Sequence, residues 1–171
     1  MNIAANVREF DTGFNAEHRD ASFDYCFNYF QQFYEEKRIE ELAVAEHIEK
    51  SCLHLAFFLA SWGMYRGNTE LFEHSSRFLR QIVETISKTD PLVWSIDVNQ
   101  YDEANVRALA DLADSLRRCT TRMTGTLVTK IMLGVFGNVP AFDSVFKLAR
   151  ISHERLCIGE KRCSKRPYFL S

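Results

Sequence analysis

Apolar residues recur at three- and four-residue intervals along most of the chain, the spacing of one face of a helix. The first such stretch predicts a helix from about Ser22 to Glu36, with Phe23, Cys26, Phe27, Phe30, Phe33 and Tyr34 on its inner stripe and Asp20 or Ser22 as cap. Tyr25 and Tyr29 fall off that stripe and are expected to meet a second contact or solvent. A second helix is predicted from about Ile39 to Met64, keeping period through Val44, Ile48, Cys52, Leu55, Phe58, Leu59 and Trp62. Its second half, LHLAFFLASW, is apolar nearly all round, which predicts the central helix of a bundle. The turn GMYRG ends it.

A third helix is expected from about Asn68 to Lys88 on the stripe Leu71, Phe72, Ser75, Phe78, Leu79, Ile82 and Ile86. Thr89-Asp90-Pro91 interrupts the pattern, because proline cannot continue a helix but can begin one behind an aspartate cap. Residues 92–98, LVWSIDV, have no strand to pair with and predict a short helical turn or an extended connector. A fourth helix runs from about Asp102 to Arg118 with Val106, Leu109, Ala110, Ala113 and Leu116 inward, and a fifth from Thr124 to Phe136. A sixth begins at Asp143 and reaches about Ile151. Residues 1–20 read as an irregular arm and residues 152–171 as a basic, loose tail. The pattern therefore predicts an all-α fold, a single-domain bundle of about six helices over residues 1–151.

Composition narrows the class. With only 7 Gly and 3 Pro in 171 residues, turns are too sparse for a many-stranded sandwich. Hydrophobic residues at 46% and charged ones at 26% exclude wholesale disorder. No apolar run approaches the ~20 residues of a membrane span. Arg8, Glu9 and Asp11 stand where a leader needs its apolar stretch, so no membrane and a cytoplasmic location are expected. The five cysteines are an odd number without paired spacing and read as reduced thiols. The five histidines are scattered, so no metal site is expected, and no glycine loop or serine elbow calls for a cofactor.

Charge is split along the chain. Residues 1–116 hold 10 Lys/Arg against 20 Asp/Glu, whereas residues 117–171 hold 11 against 3. The basic third is able to attract a polyanion and the acidic two-thirds a basic protein; the alternative is that the halves neutralise each other inside one domain or the basic end is merely solvated. Arg117, Arg118 and Arg122 lie among Thr120, Thr121 and Thr124, a composition suited equally to phosphate contacts and to a solvated helix end. Trp62, Tyr65 and Arg66 form a second cluster able to stack a base, or to close a helix end with Trp62 in the core.

The most distinctive segment is TLVTKIMLGVFGNVPAFDSVF: a helix, a Gly137-Asn138-Val139-Pro140 turn, and a new helix headed by Asp143. This arrangement resembles the stretch after the hairpin in helix-hairpin-helix DNA glycosylases. The resemblance implies a degenerate helix-hairpin-helix-like C-terminal part, and Asp143 as the carboxylate that stabilises a cationic sugar. It covers about 20 residues, and it departs from the family at two points. The glycine-rich hairpin that grips a phosphate is replaced by Arg118 to Gly125, and Lys130 lies inside the helix, beyond the place of the catalytic lysine. The whole chain, including SCLHLAFFLASWGMYRG, also resembles an uncharacterised family of small bacterial all-α proteins.

The expected function is a nucleic-acid-associated, non-catalytic helical module. Its phosphate-facing surface would be Arg117, Arg118, Arg122, Lys130 and Lys147, with Asp143 at the edge. Two alternatives stay open. One is a base-excising enzyme that uses Asp143, a residue equally suited to be a plain helix cap. The other is a small protein-binding inhibitor or immunity-type factor that uses the acidic surface. Lys130 also reads as an ordinary helix-surface lysine, and Gly134 as a point of close helix packing.

Overall fold

The computed structural model describes Arg8, residues 15–67 and residues 69–142. The predicted helix from Asp143, the tail from residue 152, most of the N-terminal arm and the Asn68 cap lie outside the described residues. Among the described residues the chain is all-helical: α1 (Ala21–Glu35), α2 (Ile48–Ser61), α3 (Arg80–Ile86), α4 (Pro91–Trp94), α5 (Glu103–Arg117) and α6 (Gly125–Phe136), with short 3-10 turns in the connections before α2, α3 and α5. None of these helices is long and apolar enough to cross a membrane.

Helices α1, α2 and α6 pack against one another, and α3, α4 and α5 close the remaining side. Phe30, Leu55, Phe58, Leu59, Leu79, Ile82 and Ile131 are fully buried, as their stripes predict, while Phe27 and Phe78 are half-buried. Three helix starts follow from the side chains before them. Asp90 accepts from the Leu92 amide at 2.8 Å, with Pro91 as first residue, so LVWSIDV opens as a helical turn. Asp102 accepts from Asn105, and Thr124 from Leu127.

Two predicted helices are broken. The stretch from Ile39 is a 3-10 turn, Ile39–Ala43, that ends at an extended Val44 before α2 begins. The break lets Ile39 and Leu42 turn inward, and the Ser51 hydroxyl donates to the freed Leu42 carbonyl at 3.0 Å. Tyr29 takes the second contact and not solvent: it is buried, and its hydroxyl pairs with the same Ser51 at 2.9 Å. The predicted third helix also divides, into 3-10 turns Glu70–Glu73 and Ser76–Leu79 followed by α3. Extended residues His74 and Ser75 separate those turns and leave Phe72 exposed. In α5 the buried row is Leu109, Leu112 and Leu116, and the expected Val106 and Ala110 face outward.

The central helix is α6 and not α2. Nine of its 12 residues are buried, on every side. Helix α2 buries one face and leaves Leu53 57% and Phe57 53% exposed. The two helices meet at Gly134, where an added Cβ would lie 2.4 Å from the ring of Phe58. Gly137 then ends α6 in the left-handed conformation (φ 67°), its amide donating to Leu133.

Helices α1 and α2 end with the same pair of backbone bonds. In α2, Gly63 takes the left-handed position (φ 76°), with Gly63 donating to Ala60 and Met64 to Leu59. In α1 that position is Lys37 (φ 57°), with Lys37 donating to Tyr34 and Arg38 to Phe33. Lysine there carries a steric cost that glycine does not. Lys37→Gly should therefore raise the unfolding free energy by about 1 kcal/mol in a denaturant titration. Gly134→Ala should do the opposite, losing about 1–3 kcal/mol to overpacking on Phe58 despite alanine's better helix propensity. A stabilised Gly134→Ala would show that α2 and α6 are not in contact there.

Candidate functional site

Of the expected phosphate-facing residues, Arg117, Arg118, Arg122 and Lys130 lie among the described ones, and Lys130 does not share a surface with the other three. Arg117 closes α5, exposed, with its guanidinium 2.6 Å from Asp114. Arg118 follows it and donates to the Ser115 hydroxyl at 3.1 Å. Arg122 lies in the loop before α6, 3.6 Å from Glu73. These three share one end of the molecule, and two of them face carboxylates of the chain itself. Asp143 and Lys147 lie outside the described residues.

Lys130 is a correction. It is buried to 7% exposure, and its ammonium donates to the Trp62 carbonyl at 2.5 Å. That carbonyl belongs to the last residue of α2's C-terminal turn, where helix carbonyls lack amide partners and the dipole is negative. The lysine therefore ties α6 to the end of α2. Its position inside the most buried helix turns it inward, and this partner makes the charge tolerable there.

The Gly137–Pro140 turn is also occupied by structural bonds. Asn138 is fully buried; its amide donates to Val93 at 3.1 Å, and its backbone carbonyl accepts from the Tyr101 hydroxyl at 2.5 Å. Beyond it the chain runs back along α6. The Phe142 amide donates to Thr129, and the Thr126 hydroxyl donates to the Phe142 carbonyl. The Trp62, Tyr65 and Arg66 cluster does not converge either. Trp62 is 37% exposed instead of buried in the core, its ring 5.9 Å from Phe58. The Tyr65 hydroxyl is buried, and Arg66 folds its guanidinium against Gly63.

A cavity of about 150 Å³ opens between α2 and the Ser76–Leu79 turn, lined by Ile48, Glu49, Cys52, Leu53, Ser76, Arg77 and Arg80. Glu49 and Arg77 pair across it at 2.6 Å. Burial pushes the Cys52 thiol up to about 11, so it stays protonated at neutral pH and is no nucleophile.

The feature that the sequence reading missed is the outer face of α2. Glu49, Lys50, Leu53, Phe57 and Ala60 are exposed along one strip of the helix, with Glu46 exposed just before it. Tyr25 of α1, 51% exposed, extends the apolar area on one side. Between them His54 stacks on Tyr29 at 4.1 Å. Burial and the Lys50 ammonium both hold His54 below its usual value, which favours its neutral form. The signal was present in Glu46, Glu49 and Lys50, which continue the line of Leu53 and Phe57 at helical spacing and mark that line as solvent-facing.

Comparison with protein-family models, curated proteins and solved structures returned no match.

The placement of Lys130 separates a structural from a nucleic-acid role. Lys130→Ala should cost about 1.5–3 kcal/mol, the range for a hydrogen bond from a charged group. Arg118→Ala should remain within about 0.5 kcal/mol of the parent chain. Parallel urea titrations measure both, and equal small effects would put Lys130 back on the surface.

Proposed function

We propose that the chain is a helical protein-interaction module that docks a partner on the outer face of α2. The observation that carries this reading is the pair Leu53 and Phe57, each more than half exposed on a helix whose opposite face is fully buried. Such a helix is held rigid before binding, so docking costs little conformational entropy. Covering each side chain returns up to about 1.5–3 kcal/mol of hydrophobic free energy. Charged residues line the strip, which favours recognition by complementary charge.

The nucleic-acid reading keeps one supporting observation. Arg117 and Arg118 are consecutive and exposed, and seven of the 11 Lys/Arg in residues 117–171 lie at 147 and beyond. Phosphate contacts by such residues would be salt-dependent on any sequence.

One experiment compares the readings. The full chain, Phe57→Glu and the double variant Arg117→Glu/Arg118→Glu are immobilised and offered the proteins of the source cell, with and without nuclease. Docking on α2 predicts nuclease-resistant proteins retained by the parent and by the arginine variant but reduced about 10-fold or more on Phe57→Glu, as expected for a central interface anchor. Retention that nuclease or the arginine changes abolish, and that Phe57→Glu leaves intact, overturns it in favour of nucleic acid. Base excision lost in Asp143→Asn would establish the enzyme instead.

A further inference from the structure

We infer that the cavity between α2 and the Ser76–Leu79 turn is a binding site for a small amphipathic carboxylate, a role independent of partner docking on α2. Its two walls differ in chemistry. Ile48, Cys52 and Leu53 come from α2, at the spacing that places residues on one side of a helix. Ile48 and Cys52 are buried, and burial keeps the Cys52 thiol protonated, so this wall carries no charge of its own. The facing wall is Ser76, Arg77 and Arg80. The 3-10 turn runs directly into α3, and residues three apart eclipse in such a turn, which sets both guanidinium groups on the cavity side.

The two arginines are not equally engaged. Arg77 donates to Glu49 at 2.6 Å, so the rim already holds one carboxylate. Arg80 approaches Glu84 through its Nε at 3.3 Å and makes no hydrogen bond among the described residues. The half-buried Ser76 hydroxyl makes none either. The positive charge of Arg80 acts on the Cys52 thiol, which places the guanidinium over the apolar floor. Among the lining groups, Arg77 and Arg80 against Glu49 leave one positive charge for a ligand. The cavity of about 150 Å³ is of the volume that holds one six-carbon ring. The ligand that matches both walls lays such a body on Ile48, Cys52 and Leu53 and turns its carboxylate to Arg80 and Ser76. An inorganic anion would leave the apolar wall wet, and a neutral hydrocarbon would cover Arg80 without pairing it. Glu49 and Glu84 beside the arginines disfavour a head group of higher negative charge.

The test is a fluorine NMR titration of the full chain with para-fluorobenzoate to about 20 mM. Binding should saturate with a Kd of about 1–10 mM, the range for a ligand of this size. The amide of the same shape, para-fluorobenzamide, should bind about threefold or more weaker, and Arg80→Gln should weaken the acid by a similar factor. Arg80 is exposed, so Arg80→Gln should keep the circular dichroism spectrum of the parent. Arg107→Gln removes the same charge from α5 and should bind like the parent. Glu49→Gln should tighten binding, because a like charge leaves the rim. Acetate should compete about 10-fold or more weakly, because it lacks the apolar body. A titration without saturation, an amide or acetate that binds as well as the acid, Arg80→Gln with parent affinity, or an equal loss in Arg107→Gln overturns the proposal.

Discussion

The fold turns on the close approach of α2 to α6 at Gly134. The missing side chain there lets the Phe58 ring lie where a Cβ would stand, within 2.4 Å. Dispersion falls steeply with separation, so that approach lets the rows around it interdigitate at core density. Phe58 in turn touches Phe23 of α1 at 6.2 Å between ring centres, and Phe27 stacks on Phe23 at 5.5 Å. Farther along, Phe27 fills the space over Gly137, where a Cβ would lie 2.8 Å from its ring. A glycine in α6 and the one that ends it thus position the aromatic side chains of two other helices.

Polar groups complete the same junction. Lys130 bonds the Trp62 carbonyl at the end of α2, and Gln31 of α1 donates to the Val135 carbonyl at 3.1 Å. Ser51 links the hydroxyl of Tyr29 to the carbonyl of Leu42. Each bond satisfies a group that burial would otherwise leave costly. Together they join α1, α2 and α6 by contacts that a hydrophobic stripe cannot specify.

The surface left over follows from that packing. Because α2 gives its inner face to α1, α6 and the 3-10 turns, its outward-facing apolar residues are covered only in part. Leu53 and Phe57 are exposed for that reason, although they belong to the most apolar run of the chain. The basic residues at the end of α5 lie apart from this strip and are held by Asp114, Ser115 and Glu73.

The sequence by itself determined the helical class and the local boundaries. Asp90 before Pro91, Asp102, Thr124 and the stop at Gly137 act on backbone groups within a few residues, so their effect is legible without knowing the fold. Only the tertiary structure decided which apolar helix is central, where the stretches from Ile39 and from Asn68 break, and that Lys130 and Tyr29 face inward. Periodicity reports a face relative to a helix's own axis. Burial depends on what stands opposite that face, and this was set by Gly134 and Phe58, 76 positions apart in the chain. The candidate site was less legible than the fold for the same reason. Leu53 and Phe57 are marked as solvent-facing only by the charges at 46, 49 and 50 that continue their line, and the side-chain hydrogen bonds that hold Asn138 reach Val93 and Tyr101, far away in sequence.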